Sequence, residues 1–186
     1  MHTTINAFYS DPHFNHKNII RLTGRPYDSL QHMNEDLIMR YNDVIGPDDM
    51  VLWLGDCFFG SIEKFKLISD RLNGHRMLIM GNHDRNAGRM ADLGFDLVIR
   101  CECFMHIAGR PCRVTHYPYI NAEPPDCRKD DRYAERRPPK VKGEVLIHGH
   151  NHANYRRFEN MIHVGVDGWD FMPVLMHEVE DLIRLI

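Results

Sequence analysis

The chain has 186 residues, 43% hydrophobic, 10% aromatic and 26% charged, the composition of a globular protein, and we expect a single domain over 1–186. That length buries enough apolar surface to fold without disulfide or metal staples, so disorder, collagen-like repeats and long coiled coil are excluded. The net charge of -3 provides no global basic field to hold nucleic acid or an anionic membrane, which leaves only a local basic patch for such partners. No apolar run approaches the ~18 residues of a membrane-spanning helix. Met1 to Ser10 lacks the basic and apolar regions of a signal peptide. Cys57, Cys101, Cys103, Cys112 and Cys127 are odd in number and have no framework spacing. Together these features predict reduced thiols and a cytoplasmic location.

In chain order, Thr4 to Tyr9 reads as a strand running into Ser10-Asp11-Pro12-His13. Met33, Leu37, Ile38, Tyr41, Val44 and Ile45 recur at helical spacing, and Gly46-Pro47-Asp48 ends that helix. Met50 to Leu54 is a buried-strand run before Gly55-Asp56. Ile62, Phe65, Leu67, Ile68 and Leu72 fit a second amphipathic helix closed by Asn73-Gly74, and Arg76 to Met80 is a third strand before Gly81-Asn82-His83-Asp84. This alternation predicts βαβ units and a largely parallel sheet, hence an α/β fold. The second half is richer in strands: Leu97 to Ile107, Arg113 to Thr115, Val145 to Ile147, Tyr155 to Phe158, Met161 to Val166 and Val174 to Glu178, with a last helix from Val179. Ala122 to Gly143, with Pro124-Pro125 and Pro138-Pro139, reads as a surface loop or lid.

Thirteen residues are histidine, and their placement carries the chemistry. Five polar clusters follow the predicted strands: Asp11 with His13, Asp56, Asn82 with His83, His116, and His150 with His152. Ligands of open α/β sheets bind at the carboxyl ends of strands. Carboxylates, imidazoles and one amide oxygen suit borderline divalent ions such as Mn, Fe, Co or Zn. Cysteine is missing from the set, which argues against a closed structural zinc site. Gly55, Gly81 and Gly149 each precede a would-be ligand and permit tight turns or close backbone approach.

The ordered set Asp-x-His, Gly-Asp, Gly-Asn-His-Asp, a lone His and Gly-His-x-His resembles the calcineurin-like metallophosphoesterase superfamily, from Asp11 to His152, with every signature position filled. The resemblance implies a four-layer α/β/β/α sandwich. It implies two divalent ions, Mn first, with Fe, Zn, Co or Ni as alternatives. Asp11, His13 and His152 would hold one ion, Asn82, His116 and His150 the other, and Asp56 would bridge them. His83 would stand near the substrate, oriented by Asp84. The implied activity is phosphate ester hydrolysis by a hydroxide shared between the ions, with His83 donating a proton to the leaving oxygen. The substrate would be a small phosphate ester or nucleotide-like molecule. Nucleic acid stays open as a substrate, and a homodimer stays open as an assembly.

Around these motifs, His16 could contact substrate phosphate or cap the next helix, and Lys17, Arg21 and Arg25 could contact phosphate or be solvated. No Arg or Lys lies inside the five metal motifs, although Arg85 follows Asp84 and the 122–143 loop holds Arg128, Lys129, Arg132, Arg136 and Arg137. A singly charged phosphodiester is therefore expected to be preferred over a monoester. His148 reads as a packed neighbour of the site, Cys57 as a buried structural thiol, and Trp169 as core; His2, His32, His75, His106, His163 and His177 read as surface or structural. The alternatives are a phosphomonoesterase or nuclease on the same site, a catalytically inactive metal-binding scaffold, and a mononuclear iron oxygenase; the surplus of ligands argues against the last.

Overall fold

A computed structural model describes residues 4–122, 124 and 133–186. In the first half of the chain, strands and helices alternate: β1 (Ala7–Tyr9), α1 (Lys17–Thr23), α2 (Leu30–Val44), β2 (Met50–Trp53), α3 (Ile62–Ser69), β3 (His75–Ile79), α4 (Ala87–Ala91) and β4 (Leu97–Ile99). The second half contributes β5 (Glu102–Ile107), β6 (Arg110–Thr115), β7 (Val145–His148), β8 (Arg157–Phe158), β9 (Met161–His163), β10 (Val174–Leu175) and α5 (Met176–Arg184). The strands form two five-stranded sheets, ordered β10-β1-β2-β3-β4 and β5-β6-β7-β9-β8. Neighbours from β1 to β4 are parallel, as are β6, β7 and β9, while β10, β5 and β8 pair antiparallel at the edges.

Alternation along the strands sorts the core into layers. Ala7, Tyr9, Val51, Trp53 and Leu78 turn to one face of the first sheet, where Met33, Leu37 and Tyr41 of α2 and Phe65 and Ile68 of α3 cover them. Phe8, Leu52, Leu54 and Ile79 turn to the other face and meet Val114, Val145, Ile147 and Ile162 of the second sheet, with Val179 and Ile183 of α5 joining that core. Ser29 and Ser61 cap α2 and α3 by accepting from the N–H groups of His32 and Lys64.

Some boundaries differ from the sequence reading. The expected strand Leu97 to Ile107 divides into β4 and β5, which belong to different sheets. The expected strand Val174 to Glu178 stops at Leu175, because Glu178 Oε2 accepts the Leu175 N–H at 2.9 Å and starts α5 there. On the outer face of the second sheet, Tyr119, Leu146 and Met161 cluster with Ala122 and Phe158. No helix of the described residues contributes to that cluster. Of the expected loop 122–143, residues 123 and 125–132 lie outside the described residues, Cys127, Arg128, Lys129 and Arg132 among them. Ala134–Arg136 forms a single 3-10 turn. No helix among the described residues is long and apolar enough to cross a membrane.

Candidate metal centre

Each polar cluster follows the carboxyl end of a strand: Asp11 and His13 after β1, Asp56 after β2, Asn82 to Asp84 after β3, His116 after β6, and His150 and His152 after β7. The β1 and β2 loops continue pairing beyond their strands, through Asp11 N–H to Gly55 O (3.1 Å), His13 N–H to Asp56 O (3.1 Å) and Phe14 N–H to Cys57 O (3.0 Å). Asp84 ties the β3 loop to the β2 loop. Its Oδ2 accepts from Asp56 N–H (3.0 Å) and Gly81 N–H (2.8 Å), and its Oδ1 accepts from Cys57 N–H (2.9 Å). Both oxygens are thus held by backbone donors, and Asp84 acts as a clamp between the two loops.

The ligand atoms of Asp11, His13 and His152 lie within 4.8 Å of one another, and so do those of Asp56, His116 and His150. Each trio could hold one cation, and together they make a candidate dinuclear centre. Asp56 stands between them: its Oδ2 is 3.5 Å from His13 Nε2 and 3.6 Å from His116 Nε2. Asn82 Oδ1 is 3.2 Å from His116 Nε2, on the side of the second trio. Asp11 Oδ1 and His13 Nε2 are buried with no hydrogen-bond partner. Buried polar atoms are normally satisfied, so two bare ligand-type atoms in one trio fit a bound cation.

Backbone conformation shapes the cluster. Asp11, His13, Asp56, His150 and His152 all have φ between 51° and 73°, a left-handed region that costs non-glycine residues free energy and marks sites held by their surroundings. The loops also approach too closely for a side chain at two glycines. A Cβ on Gly81 would overlap Asp56 Oδ1, and one on Gly149 would overlap Ser10 Oγ and Asp11 Oδ2.

A second ring of contacts orients the ligands. His116 Nδ1 donates to Leu54 O at 2.6 Å, which leaves Nε2 for a cation. Asp11 Oδ2 accepts from Ser10 Oγ–H (2.7 Å) and His150 N–H (2.8 Å), leaving Oδ1 free. His152 Nδ1 meets Asp167 Oδ2 at 2.9 Å. Arg25 grips both oxygens of Asp167 (2.8 and 2.9 Å) and donates to Pro12 O and Asp11 O, each at 2.8 Å. The Arg25 guanidinium, one candidate phosphate contact from the sequence, is buried and fully engaged in fixing the β1 loop and Asp167. Asp167 itself, in the short turn Val166–Gly168, carries no sequence signal, because its partner Arg25 is 142 positions away.

Electrostatics follow burial and neighbouring charge. Burial and the adjacent His152 ring hold the His13 imidazole well below the usual histidine range, which keeps a lone pair available at neutral pH. For Asp167, burial alone would raise the carboxyl, but Arg25 and His152 outweigh it and hold the group well below the usual carboxylate range. For His116, burial pulls downward, but Asp56, Asp11, the hydrogen bond to Leu54 O and Asp84 all pull upward, and the net direction is upward.

His83 stands at the open side of the centre, with its side chain 38% exposed and its Nε2 3.9 Å from Asp56 Oδ2. Its N–H donates to Asp56 Oδ1 at 2.9 Å. A cleft of 570 Å³ opens over the cluster, with His16 and His83 on its wall and Phe59, Leu22 and Tyr133 at its sides. Lys17 and Arg21 are exposed and do not line this cleft. His148 is packed away, its Nδ1 on Gly149 O and its Nε2 on Tyr155 Oη; Cys57, Trp169 and His163 are likewise buried.

No family model matches the chain. The chain is similar to the Gene 66 protein of Mycobacterium phage L5, 31% identical over 200 residues that cover 95% of this chain and 93% of that one. It is also similar to an uncharacterised protein of Methanocaldococcus jannaschii, 28% identical over 184 residues, covering 94% of this chain and 89% of that one. Among solved structures, a protein of unknown function from Aquifex aeolicus superposes with a TM-score of 0.73 at 26% identity, covering 95% of this chain and 98% of that one.

The carboxylate of Asp167 generates a prediction of its own. Asp167→Asn should weaken divalent-metal binding roughly 10- to 100-fold, the usual effect of removing the acceptor behind a metal-bound imidazole. Titration of metal-free protein with Mn by calorimetry measures it, and unchanged affinity would show that His152 needs no such partner.

Proposed function

The chain belongs to the family of the Gene 66 protein of Mycobacterium phage L5, and we propose that it is a metal-dependent phosphoesterase of the calcineurin-like type. The observation that carries this reading is Asp56, a buried carboxylate of one metal-ligand trio whose Oδ2 lies as near to His13 of the other trio as to His116 of its own, on the lining of a cleft. Asp11, His13 and His152 would hold one cation, and Asn82, His116 and His150 would hold the other, with Asp56 near both sets. The mixed oxygen and nitrogen donors favour Mn. Two bound cations supply charge neutralisation for phosphate and a nucleophile at neutral pH.

The remaining work falls to the protein. The His83 ring, at the open side of the cluster, donates a proton to the leaving oxygen. The clamp from Arg25 through Asp167 holds His152 in one orientation. Among the described residues, the cleft lining contains no Arg or Lys, and the guanidinium of Arg25 is already engaged by Asp167. A diester brings one negative charge, which two dications cover; a monoester brings a second charge for which this lining offers no cationic side chain. Phosphodiesters are therefore the preferred substrates. The odd number of cysteines and their lack of framework spacing are the basis on which a reducing, cytoplasmic setting is proposed.

Four outcomes test this function. Chelator treatment should abolish hydrolysis and Mn should restore it best, with two ions per chain by elemental analysis; Asp56→Asn should bring the content to one ion or none. Full turnover by metal-free protein would overturn the reading. His83→Ala should keep both ions yet lower kcat by roughly 10²–10⁴, with smaller losses for more acidic leaving groups. Equal losses across leaving groups of widely different pKa would assign His83 to placement of the substrate instead. On paired aryl substrates at matched metal and pH, kcat/KM should be higher for the diester than for the monoester.

A further inference from the structure

One wall of the cleft carries more apolar surface than phosphate chemistry needs. Phe59 is 49% exposed and Leu22 is 47% exposed, and both line the cleft that holds the ligand cluster. A large apolar side chain left open at a functional cleft is the informative exception to burial. The neighbour of Phe59, Phe58, turns inward and stacks on Phe65, with centroids 4.4 Å apart and an interplanar angle of 5°. The Phe59 N–H is pinned to Phe14 O at 2.8 Å, so the ring is presented from a fixed backbone.

The ring is also placed against the catalytic cluster. It stacks on His16, with centroids 4.5 Å apart and an interplanar angle of 20°, and it stands edge-on to His83 at 6.1 Å. His16 in turn lies beside the ligand His13, with their Nδ1 atoms 3.3 Å apart. Asn151 and Asn154 also line the cleft, and each brings an amide with both donor and acceptor capacity. An aromatic and aliphatic wall combined with two amides suits a ligand with flat π faces and a polar edge. It suits a simple alkyl group poorly.

We propose that Phe59, with Leu22 and His16, forms a stacking rim for the planar base of a nucleotide-like phosphate ester, on the His83 side of the metal cluster. This inference rests on the phosphoesterase reading and names the substrate class that the site takes. Phe59 is a specificity-determining residue here; it holds no metal and moves no proton. The role suits its chemistry, because stacking on an aromatic ring is tolerant of base identity and adds affinity for the organic part of the substrate alone.

The test measures equilibrium binding of adenosine 5′-monophosphate and of methyl phosphate to manganese-loaded protein by calorimetry. Wild type should bind the nucleotide more tightly than methyl phosphate. Phe59→Ala should weaken nucleotide binding about tenfold or more while changing methyl phosphate by less than about twofold, as the loss of one base-stacking partner does. Phe59→Tyr, which keeps the ring, should retain nucleotide affinity, and Phe59→Leu should not. Unchanged nucleotide affinity in Phe59→Ala, or an equal loss for both ligands, would overturn the stacking rim and leave the phosphoesterase reading standing. If neither ligand binds wild type that retains two ions per chain, the rim fails; wild type that takes up no manganese would instead overturn the metal-centre reading.

Discussion

The carboxylate of Asp84 joins the β2 and β3 loops through three backbone N–H groups, and the rest of the centre depends on loops held at that spacing. Backbone donors are fixed in direction, so a carboxylate that accepts three of them sets the distance between two chain segments more firmly than a side-chain pair could. The spacing leaves no room for a Cβ at Gly81. It also brings Asp56 Oδ1 within reach of the His83 N–H, so the residue between the two trios and the residue at the open side are positioned by one and the same contact network.

Charge within this network is balanced by proximity. Asp11, Asp56, Asp84 and Asp167 are gathered around four ligand histidines, and burial alone would penalise every ionised member. Asp167 has Arg25 against it, Asp84 has backbone donors, and Asp11 has Ser10 and the His150 N–H. Asp56 has the His83 N–H on Oδ1, yet burial pushes its carboxyl upward, with Asp11 and Asp84 adding like charge against the pull of His116. The position with the greatest electrostatic need is thus the position between the two candidate cation sites.

Much of this was legible in the sequence, because its motifs are short and contiguous. Asp11 with His13, and His150 with His152, announce a ligand pair within three residues, and the hydrophobic runs before them locate the strand ends. The layered arrangement followed from the alternation of strand and helix in the first half, down to α2 with its Met33, Leu37 and Tyr41 stripe. What stayed hidden depends on tertiary approach. Phe58 and Phe59 read alike in a sequence, and only the fold turns one to the core and the other to the cleft. Resemblance assigned Asp84 to His83, and only the fold shows the backbone donors of the β2 loop that its carboxylate also accepts. Arg25 looked like a free cation near the site until Asp167 arrived from the far end of the chain to occupy it. The four-layer arrangement came from resemblance alone; the described residues give two five-stranded sheets with helices.

The two trios are not independent modules. Asp11 offers Oδ1 to the first trio while its Oδ2 accepts the N–H of His150, a member of the second. Asp56 belongs with His116 and His150, yet its Oδ2 lies as near to His13 as to His116. The clamp behind His152 reaches back to the β1 loop, because Arg25 holds Asp167 with one edge and the carbonyls of Asp11 and Pro12 with the other. Each trio is therefore built partly on backbone that the other trio fixes. Such cross-bracing suits chemistry that needs two charges at a constant separation, since a shift at one ligand is resisted by hydrogen bonds that belong to its counterpart.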